Sequence, residues 1–275
     1  MHLQCQNEQE QGRQMWKRFV KDFTRYFSYA RYSARSDLKA EVASSYLNWL
    51  WWILDPLMFM LVYSFIAVIV FNSTVQYFPC FVFIGLTLWD FFNKTSQGSV
   101  KLMRQNSSTI TKVYLPKYFL VLSRCMVFGF KMLVSSSLIL IMMLFYRVPL
   151  TWRVVFIIPI LVIEGLLTFG FSCIVMHFGV FVDDLYNVVL ILLRLTFYMS
   201  GIFYSIDGRL GEPYRTLLLS LNPMAMLIQS ARQCVLYATT PSIGLLCVWG
   251  VIALILSIIG IRLIYGYENS YVKVM

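Results

Sequence analysis

Apolar and polar residues fall along this chain in long blocks, not in the short alternation of a half-buried sheet. Apolar runs of about 20 residues can carry a helix across a hydrocarbon core of roughly 30 Å. Such runs cover residues 47–71, 77–97, 118–146, 152–181, 185–206 and 242–266. Each predicts a transmembrane helix, six in all. Between 207 and 241 the pattern breaks at Pro213, at the Asn222-Pro223 pair, and at Gln229, Arg232 and Gln233. Unsatisfied polar groups are costly in hydrocarbon, so a broken helix persists at membrane depth only where protein or a water-filled cavity surrounds it. Two short helices, about 213–220 and 223–237, are therefore expected, entering and leaving by one face with Asn222 and Pro223 at their turn.

Ahead of the first span, residues 13–30 place Trp16, Phe19, Phe23 and Phe27 on one helical face and Lys17, Arg18, Lys21 and Arg25 on another. That pattern predicts an interfacial amphipathic helix with its basic groups toward anionic headgroups. Packing on another subunit is the competing reading. The predicted fold is all-α and polytopic: six transmembrane helices, an N-terminal interfacial helix, and a short re-entrant pair between spans five and six. Residues 1–45 form the N-terminal segment and 46–275 a single membrane domain.

Composition agrees with this. Hydrophobic residues make up 59% of the 275 and charged residues 13%, against about 45–50% and about 25% in soluble domains. The 23 Lys and Arg outnumber the 13 Asp and Glu, which in a soluble protein would suggest phosphate contacts with nucleic acid. Here the basic residues gather between Arg13 and Lys39 and again in 93–117, where no acid occurs. Basic charge beside apolar spans marks cytoplasmic segments. Both termini are then expected in the cytoplasm of a cell (inner) membrane, with no nucleic-acid partner. The N-terminal run lacks the apolar core of a cleavable signal peptide. Cys5, Cys80, Cys125, Cys173, Cys234 and Cys247 show no CxxC spacing and read as free, mostly buried thiols.

The loop 93–117 is the longest polar stretch expected on the cytoplasmic side. Ser96 is suited to cap a short helix through Val100, Lys101, Leu102, Met103 and Arg104, stopped at Asn106-Ser107-Ser108. In one reading its apolar residues fit a socket on a cytoplasmic partner. In the other it is a solvated connector.

Catalytic chemistry is missing. His2 and His177 are the only histidines, and there is no HExxH, phosphate loop, GxSxG elbow or GxGxxG turn. No metal site, cofactor or enzyme activity is expected of this chain, and energy for any transport has to come from another one. A membrane-embedded transferase would need a carboxylate or His constellation that is not found. Lys131, Glu164 and Arg194 fall near the middle of spans three, four and five, where a charge costs at least about 2.5–3.5 kcal/mol unless paired or hydrated. Their signs allow one shared network, either a polar wall on a transport path or a buried structural ion pair. Aromatic residues make up 17% of the chain. Phe59, Tyr63, Phe197, Tyr198 and Tyr204 lie deeper than an interfacial belt, where they can face lipid or line a path on which sugar rings stack.

Several strings together resemble the permease subunits of ABC type 2 exporters, in particular those for capsule, O-antigen or teichoic-acid polysaccharides. YLNWLWWILDPLMFMLVYSF (46–65) is similar to the family's Trp-x-x-Leu-x-Pro start of span one. FIGLTLWDFFNKTSQGSVKLMRQNSSTITKVYLPKYFLVLSR (83–124) resembles its second span, coupling loop and third span. SGIFYSIDG (200–208) and LNPMAMLIQSARQCVLY (221–237) look like the elements flanking its extracytoplasmic gate. Gly201 stands where many relatives carry Pro. The resemblance implies a homodimer joined to two copies of a separate ATP-binding subunit that holds ATP and Mg, with a coupling helix at about 96–105. It also implies that the helix at 13–30 lines a lateral entrance, and that Pro213, Asn222, Pro223 and Arg232 belong to the gate. The implied cargo is a lipid-linked glycan drawn from the membrane, and a small amphipathic drug or lipid is the alternative.

Overall fold

The structure is a computed structural model that describes residues 2–43, 48–66, 69, 75–110, 112, 114–209, 211–268 and 270–271. Among them every regular element is helical. The chain opens with α1 (His2–Ala43), followed after a short 3-10 turn by α2 (Trp51–Phe65). Next come α3 (Phe78–Val100), two four-residue helices α4 (Leu102–Gln105) and α5 (Ser107–Ile110), and α6 (Tyr118–Phe145). A 3-10 turn at Trp152–Phe156 leads into α7 (Ile157–Phe181), then α8 (Leu185–Met199). The short helices α9 (Ile206–Arg209), α10 (Tyr214–Leu221) and α11 (Pro223–Val235) precede α12 (Ile243–Gly266).

Three helical stretches, Tyr118–Phe145, Trp152–Phe181 and Ile243–Gly266, are long and apolar enough to cross a membrane. Their outward positions, such as Leu144, Phe145, Ile158, Val162, Val251 and Leu254, are exposed yet apolar. Helices whose outer faces are as apolar as their core are solvated by lipid, and the molecule is a helical membrane protein. α2 and α8 are apolar but only 15 residues each. α8 stops seven residues short of the predicted 206 because Gly201 takes a left-handed φ of 64°, where a side chain would also strike Ile206. Residues 67, 68, 70 and 71 of predicted span one lie outside the described residues.

α3 is the hub of the fold. It is buried from Cys80 through Trp89 without interruption, as expected of a helix apolar all round, and it packs against α2, α6, α7, α8 and α11. The tightest seam joins α7 and α12. A Cβ at Gly170 would lie 2.5 Å from the Ser257 nitrogen, and one at Gly260 would lie 2.7 Å from the Cys173 Cβ. The Ser257 hydroxyl donates to the Leu166 carbonyl at 2.8 Å. Small residues that let backbones touch are the usual glue between helices in lipid, where apolar burial alone distinguishes little. Replacing Gly170 with Val is expected to lower the thermal unfolding midpoint in detergent, at a cost of at least ~1–3 kcal/mol from overpacking. Gly165→Ala meets nothing within 4 Å and should be neutral or slightly stabilising. Equal midpoints for the two variants would contradict a backbone-contact seam.

α1 packs along α6. Its apolar face rests partly on this chain's own helix: Phe19 packs on Tyr118, and Phe23 and Tyr26 pack on Phe119, with ring centroids 5.4, 6.3 and 6.0 Å apart. Ala30 and Ala34 are buried on the same side, while Val20, Tyr29 and Tyr32 face outward. Phe23 stays partly exposed on that face, and α6 presents Tyr118 and Phe119 at the height of Phe19, Phe23 and Tyr26. The Trp16 side chain lies outside the described residues.

Candidate functional site

The helices meet at two ends. One carries residues 101–110 and 114–117, the 182–184 turn and the close of α12. Here α3 runs unbroken through Val100, so Ser96 is an interior residue, fully buried, and caps nothing. Val100, Leu102 and Met103 are also buried, with Leu102 and Met103 in a cluster with Ala30, Phe119, Met176, Val180 and Tyr271. The apolar residues expected to enter a partner's socket fill the chain's own core instead, since α4 folds back onto α7. Lys101, Arg104 and Gln105 are the exposed side chains of this turn. Arg104 pairs with Asp183 and donates to the Val180 carbonyl at 2.7 Å, tying the loop to the α7–α8 turn. Gly179 permits this closeness, because a Cβ there would collide with the Val100 carbonyl.

Ionic contacts close the same end. Arg18 of α1 and Lys117 both bond Glu268, at 2.7 and 2.9 Å, and Arg18 also meets Tyr114. Burial alone would lower the Arg18 guanidinium, but these contacts outweigh it and raise its pKa.

The intramembrane charges do not share a network. Lys131 bonds Glu41 of α1 at 2.7 Å and lies between the rings of Trp52 and Phe128. Glu164 is fully buried, and neither of its oxygens finds a partner among the described residues. Arg194 is exposed on α8. Rotational phase separates them: each sits near mid-span by count, but the helices turn the three side chains toward different neighbours. Asp55 and Asp90 bracket Lys94 at 3.2 and 2.8 Å, an ion cluster that sequence spacing did not single out.

Four of the five deep aromatic residues take part in a run of ring contacts, with Phe59 and Tyr198 more than half exposed. Phe59 stacks along Tyr63, Tyr63 lies 3.7 Å from Phe203 between centroids, and Phe203 meets Phe197 at 5.4 Å. Phe197 contacts Tyr198 and Trp89 at 5.5 and 5.4 Å, and the Tyr204 hydroxyl donates to the Tyr198 carbonyl at 3.2 Å. The ladder links α2, α3 and α8. Its central rung, Phe203, was not predicted, although it lies in the SGIFYSIDG string.

At the opposite end, α10 and α11 meet at Asn222 close to the predicted break. The Asn222 side chain accepts from the backbone N–H groups of Met224 and Ala225 at 3.0 and 3.2 Å and donates to Ser200 at 3.2 Å. This is a side-chain N-cap, with Pro223 in the first turn, where its missing N–H costs nothing. Pro213 is exposed before α10. Arg232 is fully buried and has no carboxylate partner among the described residues. Its Nε donates to the Phe81 carbonyl at 3.0 Å, and its two terminal nitrogens donate to the carbonyls of Gly201 and Ile202 at 2.8 and 2.9 Å. The guanidinium sits 3.4 Å from the Phe81 ring centre in a space left by Gly85, where a Cβ would lie 2.6 Å from it. One side chain thus joins α11, α3 and the turn after α8.

No family model matches the chain. Curated relatives do. An O-antigen export system permease protein RfbA from Myxococcus xanthus is 29% identical over 213 residues, 78% of this chain and 82% of the relative. Two from Klebsiella pneumoniae are 27% identical over 242 residues, 87% and 92% of the two chains, and 30% identical over 200 residues, 72% and 76%. Similarity of that extent, on an all-helical membrane fold, shows that the chain belongs to the ABC type 2 polysaccharide-exporter permeases, the family of the O-antigen export system permeases.

Proposed function

We propose that this chain is the transmembrane subunit of an ATP-driven exporter that moves a lipid-linked polysaccharide across the cytoplasmic membrane. Likeness to three O-antigen export permeases along most of the chain carries this reading. Two copies of the permease pair with two copies of a separate ATP-binding subunit, which supplies ATP and Mg. In this arrangement six spans leave both termini, the 101–117 loop and the 182–184 turn in the cytoplasm. The ATP-binding subunit presses on Lys101, Arg104 and Gln105, and the Arg104 contacts pass that motion to α7 and α8 together. The lipid enters beside α1. Sugars slide along the aromatic ladder, whose ring faces stack on sugar faces without fixing one register. The α10–α11 pair forms a re-entrant lid at the outer mouth.

The test is export in cells that lack their own O-antigen permease. Surface polysaccharide is expected only when this chain and its ATP-binding partner are both expressed, and the purified chain alone should hydrolyse no ATP. Glycan retained inside with both present would overturn the reading. Topology is checked with single cysteines in a Cys-free background and a membrane-impermeant thiol reagent. Positions 208 and 240 should react from outside, and position 273, which lies outside the described residues, only after permeabilisation. Labelling of 273 in intact cells would remove both the six-span arrangement and the lid.

A further inference from the structure

Behind the 101–105 turn lies a cavity of about 520 Å³ with a one-sided chemistry. Its polar wall comes from Lys94, Gln97, Lys101, Gln105, Arg124 and Tyr186, and no carboxylate lines it among the described residues. Lys94 shares its charge with Asp90 and Asp55, which line a separate cavity next door. Lys101 has its ammonium 4.1 Å from the Tyr186 ring centre and, among the described residues, no carboxylate within ion-pair distance. Arg124 is the decisive group. Among the described residues it forms no ion pair and its buried Nε bonds nothing, while Asp37 of α1, which lines an adjoining cavity with it, reaches it as a longer-range attraction. Its guanidinium lies flat across Gly98, where a Cβ would collide with it, and 5.8 Å from the Phe128 ring centre. The seat thus holds a half-buried arginine in place with its buried Nε unbonded, a cation whose terminal nitrogens are left to meet a ligand.

We propose that this cavity binds the phosphate or pyrophosphate ester of a lipid headgroup. The planar fork of Arg124 takes two phosphate oxygens side by side, Lys101 adds a point charge, and the Gln97, Gln105 and Tyr186 groups can donate to the remaining oxygens. Two sources share this chemistry: a bilayer phospholipid and the lipid that carries the glycan. Only the second rests on the export reading. Because Gln105 belongs to α4, an occupied cavity touches the same turn that Arg104 clamps, placing a bound headgroup against the loop proposed to meet the ATP-binding subunit.

The experiment uses the full chain in neutral detergent and three probes: inorganic pyrophosphate, phosphatidylglycerol and a short polyprenyl pyrophosphate. Binding is followed by native mass spectrometry and by the shift of the thermal midpoint. Arg124→Gln and Lys101→Gln should each weaken the bound lipid roughly tenfold, the worth of one charge-assisted contact. Lys131→Gln, outside the cavity, should not. Lys101 is exposed, so its variant keeps the fold even if the Arg124 variant does not. Retention of phosphatidylglycerol alone assigns the bilayer source, and retention of the polyprenyl compound alone assigns the glycan carrier. Affinity unchanged by either variant, equal weakening by Lys131→Gln, or binding of inorganic pyrophosphate with neither lipid would overturn the proposal. Binding is read without transport, so a failed export assay does not decide it.

Discussion

An Arg232→Met chain is expected to lose export and to unfold well below the wild-type temperature, at a cost of about 1–3 kcal/mol for each buried carbonyl left without a donor. The Phe81, Gly201 and Ile202 carbonyls would each lose the donor they now share. Arg232→Lys should fall between, because one ammonium cannot reach three carbonyls arranged around a planar fork. Thermal unfolding in detergent reads the stability, and surface polysaccharide reads the function. A Met variant within ~0.5 kcal/mol of wild type, the ordinary scatter of surface substitutions, would show that the three bonds are incidental.

The second large effect is expected at Met103. Aspartate there would place a charge in the fully buried cluster with Val180 and Tyr271, a transfer that costs several kcal/mol when nothing pairs with it. The chain should fail to accumulate in the membrane. Arg104→Ala should behave differently: the fold persists, while the tie to Asp183 and Val180 is lost and, in the exporter proposed above, ATP hydrolysis no longer drives export. The contrast is measured by membrane yield and by ATP consumed per polysaccharide exported. A Met103→Asp chain that accumulates normally but fails to hold its ATP-binding partner would return the apolar residues to a docking role.

What the sequence disclosed and what it hid have one physical cause. In lipid the outside of a helix is as apolar as its inside, so hydropathy locates a helix without saying which side meets protein. The limits of α6, α7 and α12 were therefore legible, and so was the break at Asn222, whose capping chemistry is local. The burial of Val100, Leu102 and Met103 was not, because a short polar loop reads as solvated unless its contacts with α7 are known. Lys131, Glu164 and Arg194 looked like partners by height alone, since counting along helices supplies depth but not rotation. The aromatic residues at 59, 63, 197, 198 and 204 were found by depth. Phe203, which joins them, sits beyond the left-handed turn at Gly201, where helical counting no longer applies.

The α7–α12 seam bears on how such a molecule can change shape. Side chains between two helices act as springs, able to swap rotamers and let the helices slide. Where Gly170 and Gly260 bring main chain against main chain, no such compliance remains, and the pair behaves as one stiff beam. Any strain arriving through the Asp183 turn must then be released elsewhere. The softest joint available is the run of stacked rings between α2 and α8, where flat faces glide past one another at little cost.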